Sequence, residues 1–189
     1  MVITTSPLVK TYTLQEFWNL PEPADHAKLE LIKGVLYMSP PPGEIHDEIC
    51  AALYREFQRA IDGCAYKGTI LVPRAALWTD DDTHVEPDLM YVSDDLKREM
   101  KAGRRTRADI VVEILSPATA LYDRTTKSDT YRAIGVREIW LVDPDTKEIE
   151  VRSFEAERTS VYKTSDVLRS VVLVEIQISV AAVFAPVLG

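Results

Sequence analysis

The 189-residue chain is 46% apolar and 28% charged, the make-up of a globular protein with one domain and a real core. Its net charge of −8 argues against strong non-specific nucleic-acid binding, which is driven by phosphate contacts, but leaves room for an acidic site that holds a cation. The opening residues lack the basic and apolar regions of a signal peptide, and the apolar stretch from Val171 is broken by Glu175, Gln177, Ser179 and Pro186. A cytoplasmic protein with no membrane span is therefore expected.

Thr13-Leu14-Gln15-Glu16 fits a capping box, and Pro21 and Pro23 stop the short helix that follows. Residues 29–32, Lys33-Gly34 and residues 35–38 read as a hairpin with glycine at its turn. From 44 to 62, Ile45, Ile49, Ala52, Leu53, Phe57 and Ile61 recur at helical spacing, and Gly63 ends the run. Cys50, inside this helix, and Cys64, beside its glycine, have no partners at ligand spacing, so both read as structural.

Strand pieces follow over 69–72 and 75–78, parted by Pro73, and Asp80-Asp81-Asp82 reads as a solvated turn. Asp88, after Pro87, heads a strand-like run over 89–92. Lys97, Arg98, Lys101, Arg104, Arg105 and Arg107 form a basic segment, read as a solvated face. Residues 108–115 have the short, β-branched character of a buried strand, yet carry Glu113. A charge there is costly unless paired, protonated or bound to a metal.

Residues 123–134 read as a helix closed by Gly135, with sparse apolar positions. Residues 138–142 and 149–152 read as strands joined by the Asp143-Pro144-Asp145-Thr146 turn. One or two more strands are expected around Val161 and Leu173, and Ser179 as the cap of a final helical turn. Trp18, Trp78 and Trp140 are assigned to the core, and His26 and His84 to the surface. This order predicts an α/β (mixed α+β) fold, one mixed sheet with helices on its faces.

Glu86-Pro87-Asp88, Val112-Glu113-Ile114-Leu115-Ser116-Pro117 and the segment from Asp123 through Lys127 and Tyr131 to Gly135-Val136-Arg137-Glu138-Ile139-Trp140-Leu141-Val142-Asp143-Pro144 resemble the Uma-type branch of the restriction-endonuclease-like PD-(D/E)XK superfamily. The 29–34 hairpin, Met38-Ser39-Pro40 and His46 fit the same branch, so the resemblance runs from about residue 14 to 184 of a single domain. It implies a restriction-endonuclease-like fold and an Mg²⁺- or Mn²⁺-dependent endonuclease acting on nucleic acid, with DNA as the expected substrate. Asp88 and Glu113 match the metal-binding acids, joined by the Ile114 carbonyl, and Glu30 the upstream acid. The motif's lysine would fall at position 115, where this chain has leucine; Lys127, on the next helix, matches the displaced lysine. His46 and Tyr131 occupy family-like positions as possible auxiliaries, and a homodimer follows by analogy with duplex cutters.

Other accounts of the same residues stay open. Glu113 could be a buried acid paired with a basic group, and Asp88 the cap of a turn. Glu30 could face solvent from its hairpin, and Asp123 and Lys127 could form a surface ion pair. A non-catalytic module that kept the fold is the functional alternative.

Overall fold

The computed structural model describes residues 9–79, 82–101 and 103–188. In chain order the elements are α1 (Leu14–Trp18), β1 (Lys28–Ile32), β2 (Val35–Ser39), α2 (Glu44–Asp62), β3 (Gly68–Leu71), β4 (Leu77–Trp78), β5 (His84–Val85) and β6 (Leu89–Ser93). Then come α3 (Asp94–Glu99), β7 (Ile110–Ile114), α4 (Ala120–Tyr122), a π-helical turn (Asp123–Lys127), α5 (Ser128–Ala133), β8 (Glu138–Asp143), β9 (Glu148–Ser153) and β10 (Arg158–Tyr162). The C-terminal part adds β11 (Val167–Leu168), β12 (Ile178–Ser179) and α6 (Val180–Val183).

Local chemistry sets most of these boundaries. The Thr13 hydroxyl accepts the Glu16 N–H at 3.2 Å while Glu16 accepts the Thr13 N–H at 2.8 Å, so both orphan donors at the start of α1 are satisfied. Lys33 (φ 50) and Gly34 (φ 76) are both left-handed, the combination that a two-residue hairpin turn requires. Gly135, at φ 87, ends α5 in the same region.

β2, β1, β5 and β4 form one four-stranded sheet, and β10, β9, β8, β7, β6 and β3 form a six-stranded one. In the larger sheet only β7 and β8 run parallel. Parallel neighbours cannot be joined by a tight turn, so the chain leaves β7, crosses through α4, the π turn and α5, and re-enters at β8. That crossover lays a helix beside the end of β7, where Glu113 sits.

Strand alternation divides the core between the two sheet faces. Ile110, Val112, Ile114 and Trp140 pack with Ile49, Leu53 and Phe57 of α2 and with the C-terminal segment. Val111, Leu115, Ile139 and Leu141 pack the other way, with Met90, Val92 and Tyr131.

Some expectations are corrected. Trp18 is 53% exposed: a five-residue helix buries only one side, and Leu14 and Phe17 take it. Trp140 is fully buried, and Trp78 half-buried. His84 is half-buried against Phe17, with ring centroids 4.9 Å apart, whereas His26 is exposed. Leu173 is buried but lies in no strand; the Ser170 hydroxyl holds its N–H at 2.9 Å in a turn. The 75–78 piece shrinks to β4, and the 123–134 helix starts earlier, at Ala120. Asp80 and Asp81 of the acidic turn lie outside the described residues. Within the basic segment, Lys97 pairs with Asp94 at 2.9 Å and Arg107 with Glu99 at 2.6 Å, while Arg105 donates to the Ala76 carbonyl at 2.9 Å.

Candidate active site

The β6–β7 register pairs Leu89 with Val112 and Met90 with Val111. Extended by one residue, it sets Asp88 beside Glu113. Asp88 shares its face with Met90 and Val92, and Glu113 shares its face with Val111 and Leu115; these apolar residues form one cluster, so both acids emerge on the same side. Two backbone bonds fix Asp88 there: its N–H donates to the Val112 carbonyl at 3.1 Å, and its Oδ2 accepts the Ile114 N–H at 2.7 Å.

Glu30, from β1 of the smaller sheet, is 1% exposed rather than solvent-facing. The Glu86 N–H donates to its Oε1 at 2.8 Å, and the Tyr122 hydroxyl to its Oε2 at 3.3 Å. The crossover helix brings the remaining groups. Asp123, Lys127 and Tyr131 are spaced by four residues, one face of a helix, and that face is buried against the sheet. Lys127 Nζ lies 2.6 Å from Glu113 Oε1, 3.3 Å from Glu30 Oε1 and 3.7 Å from Asp123 Oδ1. The Tyr131 hydroxyl donates to the same Glu113 oxygen. His46, in the first turn of α2, places Nε2 3.1 Å from Asp88 Oδ2.

Burial pulls against every charge in this cluster, and neighbours decide the outcome. Burial opposes ionisation of Asp88, but the His46 hydrogen bond and the Lys28 charge outweigh it and hold the carboxyl below its ordinary range. Glu30 is held low likewise, burial being overcome by Lys127, Lys28 and the Glu86 N–H. Burial would discharge Lys127, yet Glu113 and Glu30 keep its ammonium well above the usual lysine range. Glu113 goes the other way. Burial and the nearby Asp88 and Asp123 push it up to about 8 against the pull of Lys127. Lys127 is thus the fixed charge of the pair, because several acids converge on it, and Glu113 is the member that exchanges a proton. Cys50 is no nucleophile, since burial and then Asp88 push its thiol up to about 12.

Glu30, His46, Asp88, Glu113, Ile114 and Lys127 all line one cavity of about 470 Å³, with Tyr131 behind Glu113. Every candidate position read from the sequence therefore converges on one place. A larger cavity of about 810 Å³ opens near the starts of β7 and β8 instead. Its buried acid, Asp109, is satisfied by the Ser93 N–H at 2.7 Å and by Arg137 at 3.5 Å. Sequence reasoning missed Tyr122 and Lys28 and gave Asp123 no role in the site, with a surface ion pair to Lys127 left open. The four-residue spacing from Asp123 to Tyr131 was the available signal.

The model of the Uma2 family, described as "Putative restriction endonuclease", matches residues 14–181. The chain belongs to the Uma2 family. No curated protein matches it. Among solved structures it is similar to a putative nuclease belonging to DUF820 from Anabaena variabilis, at a TM-score of 0.72 and 20% identity, covering 92% of this chain and 98% of that one. That likeness shows the fold. Family and fold together indicate a restriction-endonuclease-like nuclease of mixed α+β architecture, and a nuclease family implies a nucleic-acid substrate. No helix among the described residues is long and apolar enough to cross a membrane.

Uma2 membership also makes a divalent metal the expected cofactor, as is general for restriction-endonuclease-like proteins. No group of three or more His, Cys, Asp or Glu side chains among the described residues forms a ready metal cage. The donor set still suits a hard cation. Glu30, Asp88, Glu113 and Asp123 are buried together, and Lys127 is the buried ammonium among them. Lys28, 3.8 Å from Glu30, is only partly buried. Once Glu113 gives up its proton the cluster is short of positive charge, and the donors it offers are carboxylate and carbonyl oxygen, as Mg²⁺ prefers.

Proposed function

We propose that this protein is an endonuclease that hydrolyses phosphodiester bonds of DNA with a divalent cation, Mg²⁺ or Mn²⁺. The observation that carries this reading is the Lys127 ammonium lying 2.6 Å from Glu113 in a cavity that Asp88 also lines. Asp88, Glu113 and the Ile114 carbonyl would hold the ion. When bound, it supplies Lewis-acid polarisation of a phosphoryl oxygen and acidifies a water.

The chain's own groups do the rest. Lys127 presents a fixed positive charge where an attacking water and the growing phosphorane charge would need one. Glu30 and Asp123 keep that ammonium charged and in place, while Tyr131 and His46 fix the orientations of Glu113 and Asp88. His46 and Tyr131 are positioning residues in this scheme.

The test is calorimetric titration of Mn²⁺ into the native protein, Glu113→Gln and Asp88→Asn. In parallel, cleavage of labelled duplex DNA, single-stranded DNA and RNA is followed. Binding heat in the native protein, weakened at least tenfold in both variants together with cleavage, is expected. Equal heats in all three proteins, with no cleavage, would replace this reading with a non-catalytic module. Cleavage confined to RNA would keep the chemistry and change the substrate.

A further inference from the structure

Beside the catalytic cavity lies a second one of about 430 Å³. The two share a wall that includes Pro40 and Thr119. The second cavity is lined by Tyr37, Met38, Leu121 and Tyr122 together with small alcohols and alanine, and no lining residue carries a charge. This is unusual in a chain that is 28% charged. Met38 is 69% and Leu121 78% exposed, among the most exposed large apolar side chains described. Such exposure has a cost in water unless something covers it.

Tyr37 and Tyr122 stack with ring centroids 4.8 Å apart. Tyr122 also faces the catalytic cluster, where its hydroxyl donates to Glu30 at 3.3 Å. One residue thus borders both compartments, one charged and one neutral. A nucleotide has the same division, an anionic phosphate joined to a flat uncharged base.

We infer that the groove between β2 and α4, lined by Tyr37, Met38, Leu121 and Tyr122, is a nucleobase subsite holding a base next to the scissile phosphate. The inference rests on reading the neighbouring cavity as the phosphodiesterase site. In a duplex both faces of each base are covered by stacking, so the groove admits a base only from an unpaired or extruded nucleotide. The substrate is therefore a single-stranded or locally opened segment. Stacking of one base is worth about 1–3 kcal/mol, roughly a 5- to 150-fold effect on binding or kcat/KM.

The test uses Leu121→Ser and Met38→Ser, exposed positions outside the catalytic cluster. The substrates are single-stranded DNA oligonucleotides, intact or carrying one abasic residue at successive positions. Binding is read by fluorescence anisotropy in EDTA, and cleavage in Mn²⁺. We expect each variant to lower kcat/KM on intact oligonucleotide at least fivefold with Mn²⁺ affinity unchanged. An abasic residue next to the cut should give the same loss, and the variants should add nothing to it. Wild-type behaviour of both variants, or equal losses on intact and abasic strands, would overturn the subsite. If the native protein cleaves nothing, the phosphodiesterase reading fails on its own, and anisotropy still decides this one: equal affinity for intact and abasic strands overturns it. A groove serving a protein segment would give that result.

Discussion

Lys127 and Glu113 meet at 2.6 Å with both side chains almost wholly withdrawn from water. The contact joins a helix to a strand across the β7–β8 crossover, so an ion pair and a tertiary junction coincide. Replacing Lys127 by Met should show what this costs. Several carboxylates would lose their buried counter-charge, and breaking such a pair from one side typically costs about 3–5 kcal/mol. Thermal unfolding should show a much lower Tm, partly restored by Mn²⁺ because the cation supplies the missing charge. A Tm that Mn²⁺ does not move would argue that no dication enters the cluster.

The raised Glu113 pKa gives a signed pH dependence. Burial, with Asp88 and Asp123, makes the folded state hold this proton more tightly than the unfolded chain does. Its contribution to stability is therefore present below the ordinary carboxylate range and is lost as pH climbs towards about 8. Cation binding should slope the opposite way, strengthening as Glu113 gives up its proton. Calorimetric Mn²⁺ titration at pH 7 in two buffers of different ionisation heat would count that proton. A result independent of buffer would mean that Glu113 is already ionised.

Tyr131→Phe keeps the ring that packs with Val111 and Leu141 and deletes the hydroxyl that donates to Glu113. A hydrogen bond to a charged group is worth about 1.5–3 kcal/mol. With it gone, the carboxylate is harder to form. At pH 7 Mn²⁺ affinity and cleavage should each fall roughly tenfold or more on that energy scale, and both should recover as pH rises. A merely structural hydroxyl would leave the shape of the pH profile unchanged.

Gly68 in β3 tests the packing independently of the site. A Cβ there would stand 2.5 Å from the Tyr91 hydroxyl oxygen and 2.6 Å from its ring. Tyr91 is buried, and its hydroxyl donates to the Lys67 carbonyl at 3.1 Å, so the ring has little room to yield. Gly68→Ala should cost about 1–3 kcal/mol as overpacking, read by denaturant midpoint. Cation binding at the other end of the sheet should be unaffected.

The β1–β2 hairpin was legible because Lys33-Gly34 admits few alternatives, and α2 because its apolar spacing is regular. Asp88 and Glu113 were legible because an acid in a strand otherwise made of Ile, Val and Leu needs a reason. The crossover helix was harder to read. Its apolar positions looked sparse because the face it buries opens with Asp123 and Lys127, which a hydrophobic pattern counts as solvent-facing. Tyr131 is left as the apolar residue that face shows. Glu30 was ambiguous for a related reason. In β1 its neighbours do not show that a second sheet and Tyr122 will close over it. Trp18 misled because size suggests core, whereas a single-turn helix has room for few inward side chains.

The π turn from Asp123 to Lys127 decides where this helix can absorb a change of length. The Ser128 N–H reaches back to the Asp123 carbonyl, which winds one surplus residue into the turn. Excising a single residue there, such as the exposed Thr125, would let the backbone relax into ordinary winding. Residues past the turn would keep their angular place relative to Asp123. The same excision within α5, at the exposed Asp129 for example, would instead swivel everything after it by roughly 100° and carry the Tyr131 phenol off the sheet. Single-residue deletion should therefore be far more damaging in α5 than at the outward positions of the five π-turn residues.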